Sequence, residues 1–149
     1  MAATSVSIDV PAPPEEVWAV VTDLPRLGEW VTTHKAFPAP PPGAVGEGTT
    51  FEQEMAVAGA SITINWTAQR VEAPRELVWE GKGPVGATAT TRYLLEETGD
   101  GTRFTFDSEY ELPGGPLGKV VGAAAIGHGE SQARESLERL RALCQDGAP

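Results

Sequence analysis

Two histidines and one glutamate are the side chains best suited to acid–base chemistry in this chain. His34 and His128 are its only histidines, and an imidazole can exchange a proton near neutral pH. Glu130 falls on one helical stripe with Ala133 and Leu137, where a carboxylate must be paired or have a raised pKa. Each also has a structural interpretation: His34 as an exposed loop histidine, His128 on the outer face of its helix, and Glu130 turned into solvent. The three are therefore weak catalytic candidates.

Metal and cofactor chemistry lacks its usual sequence signatures. The two histidines have no third ligand at motif spacing, and Cys144 is the single cysteine, so neither a zinc site nor an intrachain disulfide is expected. No Gly-Lys-Ser or Gly-Lys-Thr phosphate loop occurs. We predict that the protein uses no metal and no cofactor.

Other polar side chains lie on predicted strands. A cyclase needs a base and oxyanion donors around its substrate, and the candidates for these roles are Gln53, Asn65, Arg70, Arg92 and Tyr110. None has a spacing that requires catalysis, because polar residues of strands usually face water.

Aromatic side chains give a stronger signal. They occupy alternating positions of the strands that follow Trp30, and residues two apart share one face of a strand. Many of them must be ordinary core, but a sheet wrapped round one long helix is hard to fill, which favours an apolar pocket. The set comprises Trp30, Phe51, Trp66, Trp79, Tyr93, Phe104, Phe106 and Tyr110.

The elements that position these residues follow from the hydrophobic pattern. Residues 5–10 alternate as a strand, and Pro14 begins a short helix that is followed by a second one near residues 27–30. Residues 49–112 alternate with turn signals, which predicts five sequential antiparallel strands. From Leu117 the period becomes helical, with Ala133, Leu137, Leu140 and Cys144 on one stripe.

Composition narrows the classes of partner. Hydrophobic residues make up 40% of the 149, enough for one core, and we predict a single domain over residues 1–149. The net charge of −10 disfavours nucleic acid and anionic membrane surfaces. The sequence shows neither a signal-peptide pattern nor an apolar run long enough to insert in a membrane, so we expect a cytoplasmic protein, monomer or homodimer.

Four local motifs, in this order, resemble those of one superfamily. They are Ile8-Asp9-Val10-Pro11 running into Pro14-Glu15-Glu16-Val17-Trp18, Asp23-Leu24-Pro25-Arg26 closed by Glu29-Trp30, Pro74-Arg75-Glu76-Leu77-Val78-Trp79, and Gly101-Thr102-Arg103-Phe104. With the final Glu135-Ser136-Leu137-Glu138-Arg139-Leu140, the pattern is similar to the START-like superfamily (SRPBCC, birch-pollen-allergen-like), particularly its polyketide cyclase/dehydrase branch. The segment from Trp30 to His34 most resembles an actinobacterial subgroup in which some members are labelled as toxins of toxin–antitoxin pairs.

The resemblance implies an α+β helix-grip fold, a curved antiparallel sheet round a long C-terminal helix with a cavity between them. It implies binding of a small hydrophobic molecule such as a lipid, a polyketide or an aromatic compound. Two alternatives stay open: a polyketide aromatase/cyclase or dehydratase, and a toxin or partner-binding protein. We predict a pocket whose mouth lies near Trp30 and His34. Its predicted ligand-binding residues are Trp30, His34, Phe51, Met55, Trp66, Trp79, Tyr93, Phe106, Val121, Ala125 and His128.

Overall fold

One antiparallel sheet dominates the computed structural model, which describes residues 2–57, 60–83, 86–111 and 130–144. Within these residues the sheet has seven strands in the order β1-β7-β6-β5-β4-β3-β2 and curls into a half-barrel. The prediction of five sequential strands within residues 49–112, flanked at the far edge by the first strand, is confirmed. The strands are β1 Ala2–Val10, β2 His34–Ala36, β3 Thr50–Val57, β4 Ala60–Glu72, β5 Glu76–Lys82, β6 Thr88–Thr98 and β7 Gly101–Glu111.

The tight turn between β6 and β7 brings the chain back against its beginning. Gly101 opens β7, and a Cβ on it would lie 2.2 Å from the Val10 carbonyl oxygen. Only glycine fits this close approach of two backbones. The Thr102 hydroxyl, which follows, donates a hydrogen bond of 2.7 Å to the Ala12 carbonyl and fixes the end of β1 beside β7.

Two short helices follow β1. Helix α1, Pro14–Val21, begins with the predicted proline and buries Val17 and Val21. The second element is a 3₁₀ helix at Leu24–Glu29, so it begins three residues before the predicted position. Its Leu24 and Leu27 side chains are buried in the same core, because a 3₁₀ turn places residues three apart on one side. Strand β2, which follows, was not predicted.

The C-terminal helix α2 spans residues 130–144 of the described chain. Its buried side chains include Ala133, Leu137, Leu140 and Cys144, and the predicted apolar stripe is therefore confirmed. The predicted beginning of this helix, residues 117–129, lies outside the described residues. Thr32 connects α2 to the segment after the 3₁₀ helix: its backbone N–H donates to Ser136 Oγ at 3.0 Å.

Candidate functional site

A cavity of about 170 Å³ lies between the inner face of the sheet, the 3₁₀ helix and α2. An engineered cavity of similar size, ~150 Å³, binds benzene in another protein, so at least one aromatic ring fits here. The described residues that line it are Thr4, Leu24, Leu27, Trp30, Val31, Thr33, Phe51, Gln53, Met55, Ala56, Ile62, Ile64, Trp66, Trp79, Gly81, Gly83, Ala87, Thr88, Ala89, Thr91, Tyr93, Phe106, Ser108, Gln132, Ala133, Ser136 and Leu137.

Most of the predicted ligand-binding residues lie on this wall. Seven of them line the cavity: Trp30, Phe51, Met55, Trp66, Trp79, Tyr93 and Phe106. The strand residues come together because inward-facing positions of neighbouring strands are paired in register, as Phe51 is with Trp66 and Tyr93 with Phe106. Val121, Ala125 and His128 lie outside the described residues, and their roles stay predictions.

Trp30 lies deep in the molecule, and the position of the cavity mouth near Trp30 and His34 stays a prediction. Only 1% of the residue is exposed. Its ring packs edge-on against Tyr93, with centroids 5.8 Å apart, and against Phe104 at 6.2 Å. The residue follows the 3₁₀ helix, whose buried Leu24 and Leu27 draw the end of that helix into the core.

A buried polar chain connects the cavity wall to His34. Trp66 Nε1 donates to Gln53 Oε1 at 2.9 Å, and Gln53 Nε2 donates to His34 Nδ1 at 2.9 Å. Burial lowers the pKa of His34, which agrees with a neutral ring that accepts at Nδ1. His34 packs on Phe37 with ring centroids 4.5 Å apart. It therefore lies behind Gln53 and not on the described cavity wall, where we predicted it.

Three hydroxyls form a row across neighbouring strands on the cavity wall. Thr4 on β1 is paired with Ser108 on β7, and Ser108 is paired with Thr91 on β6. All three are buried and line the cavity. Thr91 Oγ1 and Ser108 Oγ are 3.3 Å apart and share a hydrogen bond.

Sequence reasoning missed this row. Its signal was present, because Thr4 continues the inward alternation of Val6 by one step. The pairing of residues more than 100 positions apart cannot be derived from that local pattern.

The described part of the wall contains no Asp, Glu, Lys, Arg or His side chain. Tyr93 is its one phenol, and burial raises the pKa of that group, so the phenol stays protonated at neutral pH. Its fixed polar groups are hydroxyls, amides and indoles, which can orient a ligand but exchange protons poorly near neutral pH.

Four of the other catalytic candidates are exposed and are not among the residues that line the cavity. Glu130 is exposed and its carboxylate pairs with Arg134 at 2.9 Å, so it is not the buried carboxylate that its helical position suggested. Arg70 and Arg92 are exposed on the outer side of the sheet, where both contact Glu76. The polar strand candidate Asn65 is also exposed, and the side chain of Tyr110 lies outside the described part of the structure.

Neither a metal-binding cluster nor a membrane-spanning helix occurs among the described residues. No group of three His, Cys, Asp or Glu side chains is arranged to hold a metal ion in the part of the chain that the structure describes. None of the helices in the same ranges is both long enough and apolar enough to cross a membrane.

Comparisons with known proteins agree with this geometry. A family model described as polyketide cyclase / dehydrase and lipid transport matches residues 1–145. A Mycobacterium tuberculosis protein named Toxin Rv0910 is 35% identical over 142 residues, which cover 94% of this chain and 96% of that protein. Uncharacterized protein Rv1546 of the same organism is 28% identical over 142 residues, which cover 93% of this chain and 98% of that protein. A Thermus thermophilus crystal structure superposes with a TM-score of 0.80 at 17% identity, covering 99% of each chain, and shows a similar fold.

Proposed function

Because this chain belongs to the polyketide cyclase / dehydrase and lipid transport family, we propose that it binds a small hydrophobic molecule in the cavity between the sheet and α2. The protein acts as a binding protein in this proposal, and the ligand enters without a metal or a cofactor. The predicted single domain, the cytoplasmic location and the choice between monomer and homodimer stay predictions beside it.

One observation carries the proposal. The described wall combines aromatic and aliphatic side chains with a few neutral polar groups, and it has no charged side chain. Ligand pockets typically have this composition, because apolar surface supplies the affinity and a few polar groups set the orientation. General acid–base catalysis by a polyketide cyclase or dehydratase needs a group that titrates near neutral pH, and the described wall lacks one. Binding is therefore better supported than catalysis.

Filling the cavity from α2 tests the proposal. Ala133 is buried and lines the cavity, whereas Ala142 lies on the exposed side of the same helix. Alanine and leucine differ little in helix propensity, so Ala133→Leu and Ala142→Leu form a matched pair. We expect Ala133→Leu to weaken binding of the fluorescent probe N-phenylnaphthylamine by about one order of magnitude or more, because overpacking costs about 1–3 kcal/mol.

The probe is titrated into wild type and both variants, and melting temperatures are recorded alongside. Ala142→Leu should bind like the wild type. Equal affinity in all three proteins, or no saturable binding to the wild type, would refute a ligand site in this cavity.

A toxin role is the second candidate, because the relative named Toxin Rv0910 is 35% identical across nearly the whole chain. Induced expression in an actinobacterial host, with growth as the readout, tests it. Growth arrest by the wild type and by Ala142→Leu, but not by Ala133→Leu, would indicate that toxicity depends on the cavity. Normal growth in all cultures, at matched protein levels, would count against the toxin role.

A further inference from the structure

The polar chain that joins Trp66, Gln53 and His34 has a fixed direction. The indole of Trp66 can donate but cannot accept, so the atom of Gln53 that faces it at 2.9 Å must be the carbonyl oxygen Oε1. The amide nitrogen Nε2 therefore faces His34 Nδ1, also at 2.9 Å. Because an amide nitrogen only donates, Nδ1 must carry no proton. The polar chain is thus complete only when His34 is neutral.

Protonation of His34 places two donors against each other. A charged imidazole carries a proton on both ring nitrogens, so Nδ1 and Gln53 Nε2 can no longer share a hydrogen bond. Turning the amide over presents Oε1 to His34, but it also presents Nε2 to the Trp66 N–H, which is a donor as well. Oxygen and nitrogen stand at opposite ends of the amide, so one of the two bonds is lost in either orientation.

The three side chains connect solvent to the cavity. Gln53 and Trp66 line the cavity and are only 3% and 7% exposed. His34 lies behind Gln53 and is half-buried, so water can deliver a proton to its ring. The ring has little room to turn aside, since it packs on Phe37 with centroids 4.5 Å apart and a Cβ on Gly28 would lie 3.1 Å from its Cδ2. The side chains on the cavity wall must therefore adjust.

Among the described residues, no charged group holds His34 in one protonation state. The charged side chains on the surrounding elements are Arg26 and Glu29 on the 3₁₀ helix, Lys35 on β2, Glu52 and Glu54 on β3, and Glu130 and Arg134 on α2. The helix residues form pairs within each helix, and Lys35 Nζ donates to Ser61. Glu52 and Glu54 alternate with Gln53, so they lie on the opposite face of β3. Burial alone lowers the pKa of His34, so its ring gains a proton at a pH below about 6.5.

We propose that His34, Gln53 and Trp66 form a proton-operated switch, in which protonation of His34 breaks one hydrogen bond of the polar chain and weakens ligand binding in the cavity. The neutral state holds the Gln53 amide and the Trp66 indole in the arrangement that shapes the wall, and the protonated state releases one of them. Binding and protonation are coupled in both directions, so a ligand that prefers the neutral state lowers the pKa of His34 further. The effect on affinity rests on the proposed binding function, whereas the response of Trp66 does not.

NMR of the free protein tests the switch without a ligand. The chain has four tryptophans, and Trp66→Phe identifies which indole N–H signal belongs to Trp66. Between about pH 8 and about pH 5 we expect this signal to shift in one transition, with its midpoint below about pH 6.5. His34→Asn offers Gln53 an acceptor that cannot be protonated, so the transition should vanish. His128→Asn is the matched control, because it removes the other histidine of the chain, and the transition should persist in it.

Gln53→Glu distinguishes a switch from a merely structural hydrogen bond. A carboxylate has an acceptor at each end, so it can bond to the Trp66 N–H and to protonated His34 at the same time. Its negative charge also favours the imidazolium. The midpoint of the Trp66 transition should therefore rise above that of wild type, and a midpoint that stays or falls would overturn the role of the amide. Melting curves verify folding, and His34→Asn keeps the test decisive if the glutamate variant does not fold.

Titration of N-phenylnaphthylamine above and below the NMR midpoint tests the coupling to the cavity. The loss of one hydrogen bond corresponds to roughly three- to tenfold in affinity, so wild type should bind the probe that much more weakly below the midpoint. His34→Asn should bind it equally well at both pH values. Saturating probe should also lower the midpoint of the Trp66 transition in wild type, as reciprocal coupling requires.

The outcomes separate the switch from the function. A Trp66 signal without a transition, or a transition that persists in His34→Asn, overturns the switch while ligand binding stands. A transition with unchanged probe affinity overturns the coupling to the cavity. If the probe binds at neither pH, the proposed function and the coupling both fail, and the NMR titration still confirms or refutes the response of Trp66 to His34.

Discussion

Replacing Gly81 by alanine should destabilise the protein, although the same change in an open strand position is usually stabilising. A Cβ on Gly81 would lie 2.7 Å from Trp66 Cζ3, 2.8 Å from Trp66 Cε3 and 2.8 Å from Ile64 Cγ2. Carbon atoms in contact prefer about 3.5–4.0 Å, so the indole must move by about 1 Å. The backbone at Gly81 lies outside the left-handed region, so alanine suffers no conformational strain there.

The displaced indole also loses its hydrogen bond. Trp66 Nε1 donates to Gln53 Oε1 at 2.9 Å, and Gln53 in turn donates to His34 Nδ1. A shift of about 1 Å takes the first of these beyond normal hydrogen-bond length. Trp66 Nε1 and Gln53 Oε1 are then left buried without a hydrogen bond to each other.

The expected magnitude follows from three contributions. Overpacking costs about 1–3 kcal/mol and an unmade buried hydrogen bond about 1–3 kcal/mol. Alanine restricts the conformations of the unfolded chain, which stabilises the folded state by about 0.4–1 kcal/mol. The free energy of unfolding should therefore fall by about 2–4 kcal/mol, which lowers the melting temperature by roughly 5–15 °C in a chain of this size.

Urea denaturation followed by tryptophan fluorescence measures the effect, with Gly83→Ala as the control. A Cβ on Gly83 would meet the Ala87 Cβ at 3.4 Å, an ordinary contact, so this variant should match or slightly exceed wild-type stability. Combining Gly81→Ala with Trp66→Phe should cost less than the sum of the two single changes, because the smaller ring relieves the clash. A Gly81→Ala protein as stable as wild type would refute the reasoning.

Three further predictions concern other parts of the molecule. Gly101→Ala should prevent normal folding or reduce the free energy of unfolding by more than about 3 kcal/mol. The added Cβ would lie 2.2 Å from the Val10 carbonyl oxygen, and the paired backbone cannot move away without losing its own hydrogen bonds. Circular dichroism measures the loss of folded structure. Burial lowers the pKa of His34 in the folded state, so as the pH falls the unfolded state takes up this proton at a higher pH than the folded state does. The contribution of His34 to the free energy of unfolding should therefore be complete above about pH 6.5 and be lost as the pH falls below that value. Urea midpoints at several pH values should show a flatter profile for His34→Asn, and an unchanged profile would contradict the assignment. Glu130→Gln should alter stability and probe binding by less than about 0.5 kcal/mol, since an exposed pair contributes little; a large loss of binding would restore the residue as a site candidate.

The aromatic wall was predictable because a strand has a fixed period. Phe51, Trp66, Trp79, Tyr93 and Phe106 occupy inward positions, and the alternation of each strand reveals its face without knowledge of its neighbours. The order of the five sequential strands followed from the turn signals for the same local reason.

Other parts of the site depend on contacts between distant segments. Trp30 was expected near an opening, but the depth of a residue after a 3₁₀ turn is set by what packs on it, here Tyr93 and Phe104. The position of His34 depends on a hydrogen bond to Gln53 across a short strand that follows no alternating pattern. The helical wheel predicted that Glu130 is buried. Glu130 instead lies one turn before Ala133, at the first described residue of α2, where its carboxylate is exposed and pairs with Arg134.

The pairing of β1 with β7 has a consequence for synthesis of the protein. Thr4 leaves the ribosome well before its partner Ser108, which follows 104 residues later. The hydroxyl row therefore cannot exist on a nascent chain until β7 has emerged, and contacts of such long sequence separation form slowly. A ligand bound in the cavity can stabilise only the finished wall, so it acts late in folding and not on the first step. Chains that end before β7 keep most of the aromatic residues but lack Ser108 and Phe106, so their cavity wall should stay incomplete.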